Sequence, residues 1–238
     1  RPETIFCVDH AQNASDLDEA AGAAGVKLNL ALDLYVGRRT GILTGEPSLE
    51  LARHIAKLKN SRLQGLQAYS GYASHTKGFD NRRKTSQEAM AAAVETRRLI
   101  ERDGIECKFL SGGSTGTWNI DPAIDGITEH QPGSFMFMDI DYRRIGSQGS
   151  DEFNDFKHSL FVIATVISQP KPDSAVVDGG FKAFATDRGY GPEVRNRPDV
   201  RFSFGGDEHG VISLTDFKAK VGDRIEFVVP HCDPTVNL

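Results

Sequence analysis

Apolar and polar positions follow two different rhythms along this chain. Up to about residue 140, short apolar runs alternate with stretches of helical spacing. The runs Thr4–Val8, Leu28–Leu34, Leu63–Tyr69, Cys107–Leu110 and Ser134–Met138 read as strands, several closed by Gly or Asp. Between the first four, helices are expected over Ala14–Ala24, Ser48–Lys59 and Ser86–Arg102. The second opens behind Pro47 and carries Leu49, Ala52, Ile55, Ala56 and Leu58 on one side, and the third stops at Asp103-Gly104. Strand–helix–strand repetition predicts a parallel sheet with right-handed crossovers. From about Asp155 the strand candidates become Leu160–Ser168, Ser174–Asp178, Arg201–Phe204, Gly210–Leu214 and Arg224–Val229, short and separated by Pro/Gly/Asp turns. The expectation is an α/β domain over 1–142 and a mainly β domain over 155–238, with a flexible linker around Gly146-Ser147-Gln148-Gly149-Ser150.

Five βα-type strands cannot close a barrel that needs eight. The pattern therefore fits either an open sheet or a barrel lacking about three units of roughly 30 residues each.

Composition narrows the class. The 238 residues are 39% hydrophobic and 26% charged, the profile of a folded globular protein. No uncharged apolar run approaches the ~18–20 residues of a membrane span. No apolar secretory core follows Arg1-Pro2-Glu3. With 28 basic and 33 acidic residues the net charge is −5, and no Lys/Arg block breaks the balance, so neither nucleic acid nor a membrane surface is an expected partner. Three scattered cysteines, Cys7, Cys107 and Cys232, make no disulfide framework and predict a reducing, cytoplasmic setting.

Several segments could carry chemistry. Ser111-Gly112-Gly113-Ser114-Thr115-Gly116-Thr117 follows a strand, and its bare amides and hydroxyls suit an anion such as phosphate; the plain alternative is a Gly-rich turn. Gln131-Pro132-Gly133-Ser134 could add further donors. In Pro230-His231-Cys232-Asp233-Pro234-Thr235, an extended backbone puts His231 and Asp233 on one side and Cys232 on the other. Such an N/O pair suits a divalent cation, and the plain alternative is a polar turn. Asp207-Glu208-His209-Gly210 is equally a charged hairpin turn. Tyr69 and His75 leave a barrel-type strand at its carboxyl end, as ring-packing and base candidates or as an ordinary aromatic and a surface histidine. Arg39 lies in the loop leaving the preceding strand.

Taken together, the strand-Arg-Thr-Gly segment, Leu66–Tyr69 with His75, Ser111–Thr117, QPGSFMFMD (131–139), DGGFKA (178–183), DEHGV (207–211) and HCDPTVN (231–237) resemble the D-threonine aldolase family. That family also contains 3-hydroxyaspartate aldolases and is related to metal-activated D-serine dehydratases. The resemblance covers essentially the whole chain, and HCDPT is its most specific part. It implies a TIM-type α/β barrel of the alanine-racemase kind, with its first part missing here, followed by a mainly β domain.

The resemblance also implies roles. Ser114, Thr115, Gly116, Gly133 and Ser134 would hold the phosphate of pyridoxal 5'-phosphate, Tyr69 would line the cofactor, and Arg39 would sit near its ring. His231 and Asp233 would bind a divalent cation, Mg or Mn before Zn, and His75 would act as base on the substrate β-hydroxyl. The implied enzyme is an aldehyde-lyase, a homodimer cleaving a β-hydroxy-α-amino acid to glycine and an aldehyde. The dehydratase branch has Cys where this chain has Asp233, which favours the aldolase branch. One departure stands out: neither Lys27, Lys57, Lys59 nor Lys182 occupies the Arg-Pro-His-x-Lys-like context of the family's Schiff-base lysine. The expectation is an incomplete copy of a larger enzyme. The competing readings are a dehydratase of D-serine or 3-hydroxyaspartate, a non-catalytic cofactor-binding protein, and a metallohydrolase using His231, Asp233 and His209.

Overall fold

The computed structural model describes residues 3–237; Arg1, Pro2 and Leu238 lie outside them. Backbone contacts divide the chain into two compact units, Arg1–Gly133 and Ser134–Leu238.

The first unit is built on a parallel sheet of β1 (Ile5–Val8), β2 (Leu28–Asp33), β3 (Ser61–Ala68), β4 (Phe109–Gly112) and β5 (Glu129–His130), in that order. Its helices are α1 (Ala11–Ala23), α2 (Glu46–Ala56), α3 (Gly71–Ser74) and α4 (Phe79–Arg102). Alternation on the strands decides which face is which. Leu30, Leu32 and Leu34 join Leu66, Ala68 and Leu110 in a core with Leu49, Ile55, Met90 and Ile100 of the helices. The other face is polar: Asn29 stands beside Arg62, Asp33 beside Gln67, and Gln67 beside Ser111. At its carboxyl end, Gln131 Nε2 donates to Gln67 and, at 2.7 Å, to Ser111 Oγ.

Two expectations need correction here. The fifth strand is Glu129–His130, paired with Ser111 and Gly112, and Ser134–Met138 is no strand. Ser134–Met136 forms a 3-10 turn, because the amides of Phe137 and Met138 return to Ser134 O at 3.0 and 2.7 Å. The apolar run thus satisfies its backbone locally, while the polar pair that does join the sheet carries no hydrophobic signal. The third helix starts at Phe79, two turns early, because Arg82, at an inward position, breaks the apolar pattern.

The second unit holds an antiparallel sheet of β6 (Phe161–Lys171), β7 (Ser174–Val177), β8 (Glu193–Val194), β9 (Phe202–Phe204), β10 (Gly210–Ser213) and β11 (Arg224–Val228), in spatial order β8-β11-β6-β7-β10-β9. Its core collects Ala164, Val166, Val177, Phe184, Ile212 and Phe227, with Phe184 edge-on to Phe202 and Phe227. β8, two residues long, falls below any sequence periodicity. Two short helices complete the unit, α5 (Ile140–Arg143) and α6 (Cys232–Val236). The stretch around the expected linker is anchored on both sides, where Met138, Tyr142, Ile145 and Phe153 form a small core of their own and Phe153 N donates to Arg143 O at 2.8 Å, while Gln148, Gly149 and Ser150 between them are exposed. No helix of the described residues is long and apolar enough to cross a membrane.

Candidate active site and metal centre

In the first unit, the candidate residues gather where β2, β3 and β4 end. Arg39 lies with its guanidinium 4.9 Å from the centre of the Tyr69 ring, and Arg38 stacks on Tyr72 at 3.7 Å. Ser70 caps α3: its Oγ accepts from Ala73 N at 3.3 Å and donates to Val36 O at 3.2 Å, so the loop after β2 is tied to the exit of β3. His75 ends α3, with Nδ1 3.1 Å from Gly71 O. A carbonyl can only accept, so Nδ1 carries a proton, and in the neutral imidazole the lone pair falls on the buried Nε2.

The Gly-rich loop leaves β4 through an extended Ser114 and turns into a 3-10 element, Thr115–Thr117. Thr117 Oγ1 accepts from Ser114 N at 3.0 Å and donates to Asp121 Oδ2 at 2.5 Å, so Ser114 Oγ, 3.0 Å away, gives its own proton to Thr117. Asp121 is buried, also receives the Ser86 hydroxyl, and has its pKa raised by burial against these opposing bonds. With both hydroxyl protons engaged, what the turn offers an anion is its opening amides. Gly116 must be glycine because a Cβ there would lie 2.1 Å from Ser74 O, and Gly113, at φ +73°, would press on His130 and Asp121. Arg82 holds the loop from behind, donating from Nε to Gly116 O at 2.7 Å and from Nη1 to Thr76 O at 3.1 Å. The Gln131–Gly133 stretch leaves the carboxyl end of β5, and a side chain at Gly133 would meet open space. This end of the sheet therefore fits a phosphate-bearing cofactor through amides and small residues.

In the second unit, Ser134 is buried and hydrogen-bonds Cys232. Asp139 is fully enclosed and accepts from Tyr142 N at 2.8 Å and Cys232 N at 2.7 Å. With Ile140 N on Val229 O and Asp141 N on Pro230 O, both at 3.1 Å, it clamps the start of α5 to the end of β11. The segment holding His231 is not extended throughout: His231 is extended, and Cys232 opens a helical turn. The pair converges all the same, with His231 Nε2 3.7 Å from Asp233 Oδ2. Cys232 is buried, and burial with the neighbouring Asp139 pushes its thiol up to about 12, which keeps it neutral.

His231 Nδ1 lies 2.8 Å from Asp187 Oδ2, which turns Nε2 toward Asp233. One imidazole nitrogen and one carboxylate oxygen across 3.7 Å suit a shared cation with metal–ligand bonds of ~2 Å, the remaining positions being water. Among the described residues no group of three or more His, Cys, Asp or Glu is placed to hold a metal ion. His209 sits in the β9–β10 hairpin, and Lys182 of DGGFKA pairs with Glu208 at 2.6 Å there. Sequence reasoning missed Arg82, Asp121 and Asp187, and it quoted Asp139 without a role. None of the four carries a local signal of its partner.

Known proteins resemble this chain over nearly its whole length. The chain is 37% identical over 235 residues to the 3-hydroxy-D-aspartate aldolase of Paracoccus denitrificans (strain Pd 1222), covering 98% of this chain and 60% of that protein. It is 34% identical over 238 residues to the D-threonine aldolase of Arthrobacter sp., covering 98% and 61%. The solved D-threonine aldolase from Filomicrobium marinum matches with a TM-score of 0.92 at 34% identity, over 98% of this chain and 63% of that one. The chain thus spans about three fifths of the length of these relatives. A family model described as a putative serine dehydratase domain matches residues 159–238, and one described as the alanine racemase N-terminal domain matches residues 2–141. The five parallel strands are part of an alanine-racemase-like α/β barrel followed by an antiparallel β domain, and the chain belongs to the alanine racemase N-terminal domain family.

Proposed function

We propose that the protein is a pyridoxal-phosphate- and divalent-metal-dependent aldolase, cleaving the Cα–Cβ bond of a β-hydroxy-α-amino acid of the D-threonine or 3-hydroxyaspartate type to glycine and an aldehyde. The aldolase names of the relatives at 34–37% identity support it. The observation that carries it is the imidazole–carboxylate pair of His231 and Asp233, 3.7 Å apart; by the family resemblance the dehydratase branch has Cys in place of the Asp. When bound, pyridoxal phosphate supplies an electron sink and the cation, Mg or Mn before Zn, supplies Lewis acidity at the substrate hydroxyl.

The chain's own residues then have separate tasks. The opening amides of Thr115 and Gly116, with Gly133 and Ser134, bind the phosphate, and Ser114 shapes the turn, its own amide being held by Thr117. Tyr69 lines the cofactor, and Arg39 stands by its ring. His231 and Asp233 hold the cation, and His75 Nε2 takes the β-hydroxyl proton as the carbon–carbon bond parts. The lysine that attaches the cofactor lies outside these 238 residues in this reading, and the enzyme works as a cytoplasmic homodimer, the dimer by family resemblance.

The test is a product assay with D-threonine and D-3-hydroxyaspartate. Aldehyde plus glycine supports the proposal. A keto acid plus ammonia would instead establish the second reading, a metal-dependent dehydratase, which the match of residues 159–238 to a serine dehydratase domain favours. Bound cofactor without either product would leave a binding protein.

A further inference from the structure

We propose that two adjacent residues, Asp187 and Arg188, set the cation affinity of His231: Asp187 by holding the imidazole in one tautomer and orientation, Arg188 by competing with the cation for the Nε2 lone pair. The inference rests on the metal reading above.

His231 touches both residues, one through each ring nitrogen. Nδ1 lies 2.8 Å from Asp187 Oδ2, and Arg188 Nη2 lies 3.4 Å from Nε2. A carboxylate accepts and a guanidinium only donates, so both contacts require the same tautomer, with the proton on Nδ1 and the lone pair on Nε2. Metal-bound histidines need this arrangement, their other nitrogen tied to a carboxylate that fixes the ring. The same lone pair cannot serve a guanidinium N–H and a metal ion together. Cation binding therefore requires Arg188 to leave Nε2.

Arg188 has somewhere to go. Its Nη2 is also 3.1 Å from Asp141 Oδ2, and its Nε is 3.4 Å from Asp187 Oδ2. Asp141 is held in turn by the Tyr190 hydroxyl at 3.1 Å. A small rotation releases the imidazole while the guanidinium stays among carboxylates, so the competition is weak and reversible.

The experiment is a Mn²⁺ titration of the full chain, followed by the electron paramagnetic resonance signal of free Mn²⁺, with ¹⁵N NMR of the histidines reporting the tautomer. His231→Ala should remove the binding. Asp187→Ala should weaken it ~10–100-fold and shift His231 away from its Nδ1–H form. Asp187→Asn should weaken it less, because an amide oxygen can still accept from Nδ1. Arg188→Met should tighten binding roughly 5-fold, the equivalent of one ordinary hydrogen bond. Arg144→Met is the charge control: Arg144 stacks on Tyr190 at 3.9 Å without touching the imidazole, and its loss should change affinity less than about 2-fold. Equal tightening by Arg144→Met and Arg188→Met would overturn the competition. Unchanged affinity and tautomer in Asp187→Ala and Asp187→Asn would overturn the positioning role, while a loss on His231→Ala would leave the metal reading standing. Binding indifferent to His231→Ala would remove the metal reading and this inference with it. Should Asp187→Ala fail to fold, Asp187→Asn and Arg188→Met decide.

Discussion

Arg82 donates from Nε to the carbonyl oxygen of Gly116 at 2.7 Å, joining a helix side chain to the loop that leaves β4. The same guanidinium donates from Nη1 to Thr76 O, one residue past His75, so a single enclosed cation braces both the anion-binding turn and the segment of the candidate base. Arg82→Met keeps the apolar stem and leaves two carbonyls without this donor. It should cost ~3 kcal/mol in urea unfolding, since hydrogen bonds from charged donors contribute about 1.5–3 kcal/mol each. Arg82→Lys should recover little, because an ammonium lacks the fork that reaches two carbonyls. A midpoint near wild type for Arg82→Met would contradict the brace.

His75→Asn tests the proton transfer. The Nδ1–H bond to Gly71 O leaves Nε2 as the basic nitrogen, and a positioned base contributes ~10²–10⁴-fold. In the complete enzyme, cleavage should fall by at least ~10²-fold while cofactor absorbance stays. Near-normal cleavage would take His75 out of the mechanism.

Asp139 connects fold and metal segment. Asp139→Ala strands the buried amides of Tyr142 and Cys232, at about 1–3 kcal/mol for each unsatisfied group, and should also weaken Mn²⁺ binding because His231 adjoins the freed amide. Asp139→Asn retains one acceptor oxygen and should keep part of both properties. Thermal melts and the Mn²⁺ titration read the two effects separately.

Chelation and Asp233→Ala should act alike, abolishing turnover while cofactor stays bound, because the proposed phosphate amides of Thr115, Gly116 and Gly133 belong to the first unit and the metal pair to the second. Cys232→Ala should leave Mn²⁺ affinity unchanged, since the thiol is buried and protonated; it should lose only stability, about 1 kcal/mol for a small cavity. Joint loss of cofactor and metal would refute the separation of the two sites.

Cys107 gives the alkaline limb a sign. Burial and the nearby Glu101 raise its thiol from 9.0 to about 11. Between those values the unfolded chain releases a proton that the folded chain keeps, so this contribution is whole below pH 9 and is lost as pH rises toward 11. Cys107→Ala should flatten the fall of unfolding free energy across that window by roughly 2 kcal/mol. Cys232 and Tyr190, also raised, keep their part of the slope. An unchanged slope would show that Cys107 titrates normally.

Much of this was legible along the chain. Four of the five parallel strands, three major helices and five of the six antiparallel strands follow from period and turn residues, because each element's burial direction is written into neighbouring positions. The Gly-rich loop and the His231–Asp233 pair stand in the sequence as local motifs, and the family resemblance rests on such motifs together.

The remainder depended on the folded chain. The strand Glu129–His130 exists because β4 offers it an edge, and the apolar run after it turns because its amides find Ser134 O first. Arg82 meets Gly116 across 34 residues, Asp187 meets His231 across 44, and Asp139 meets Cys232 across 93. Local periodicity records which way a side chain points relative to its own element. It carries no record of which distant polar atom the same burial leaves in need of a partner, and that pairing is settled when the core closes and each enclosed donor and acceptor must be satisfied.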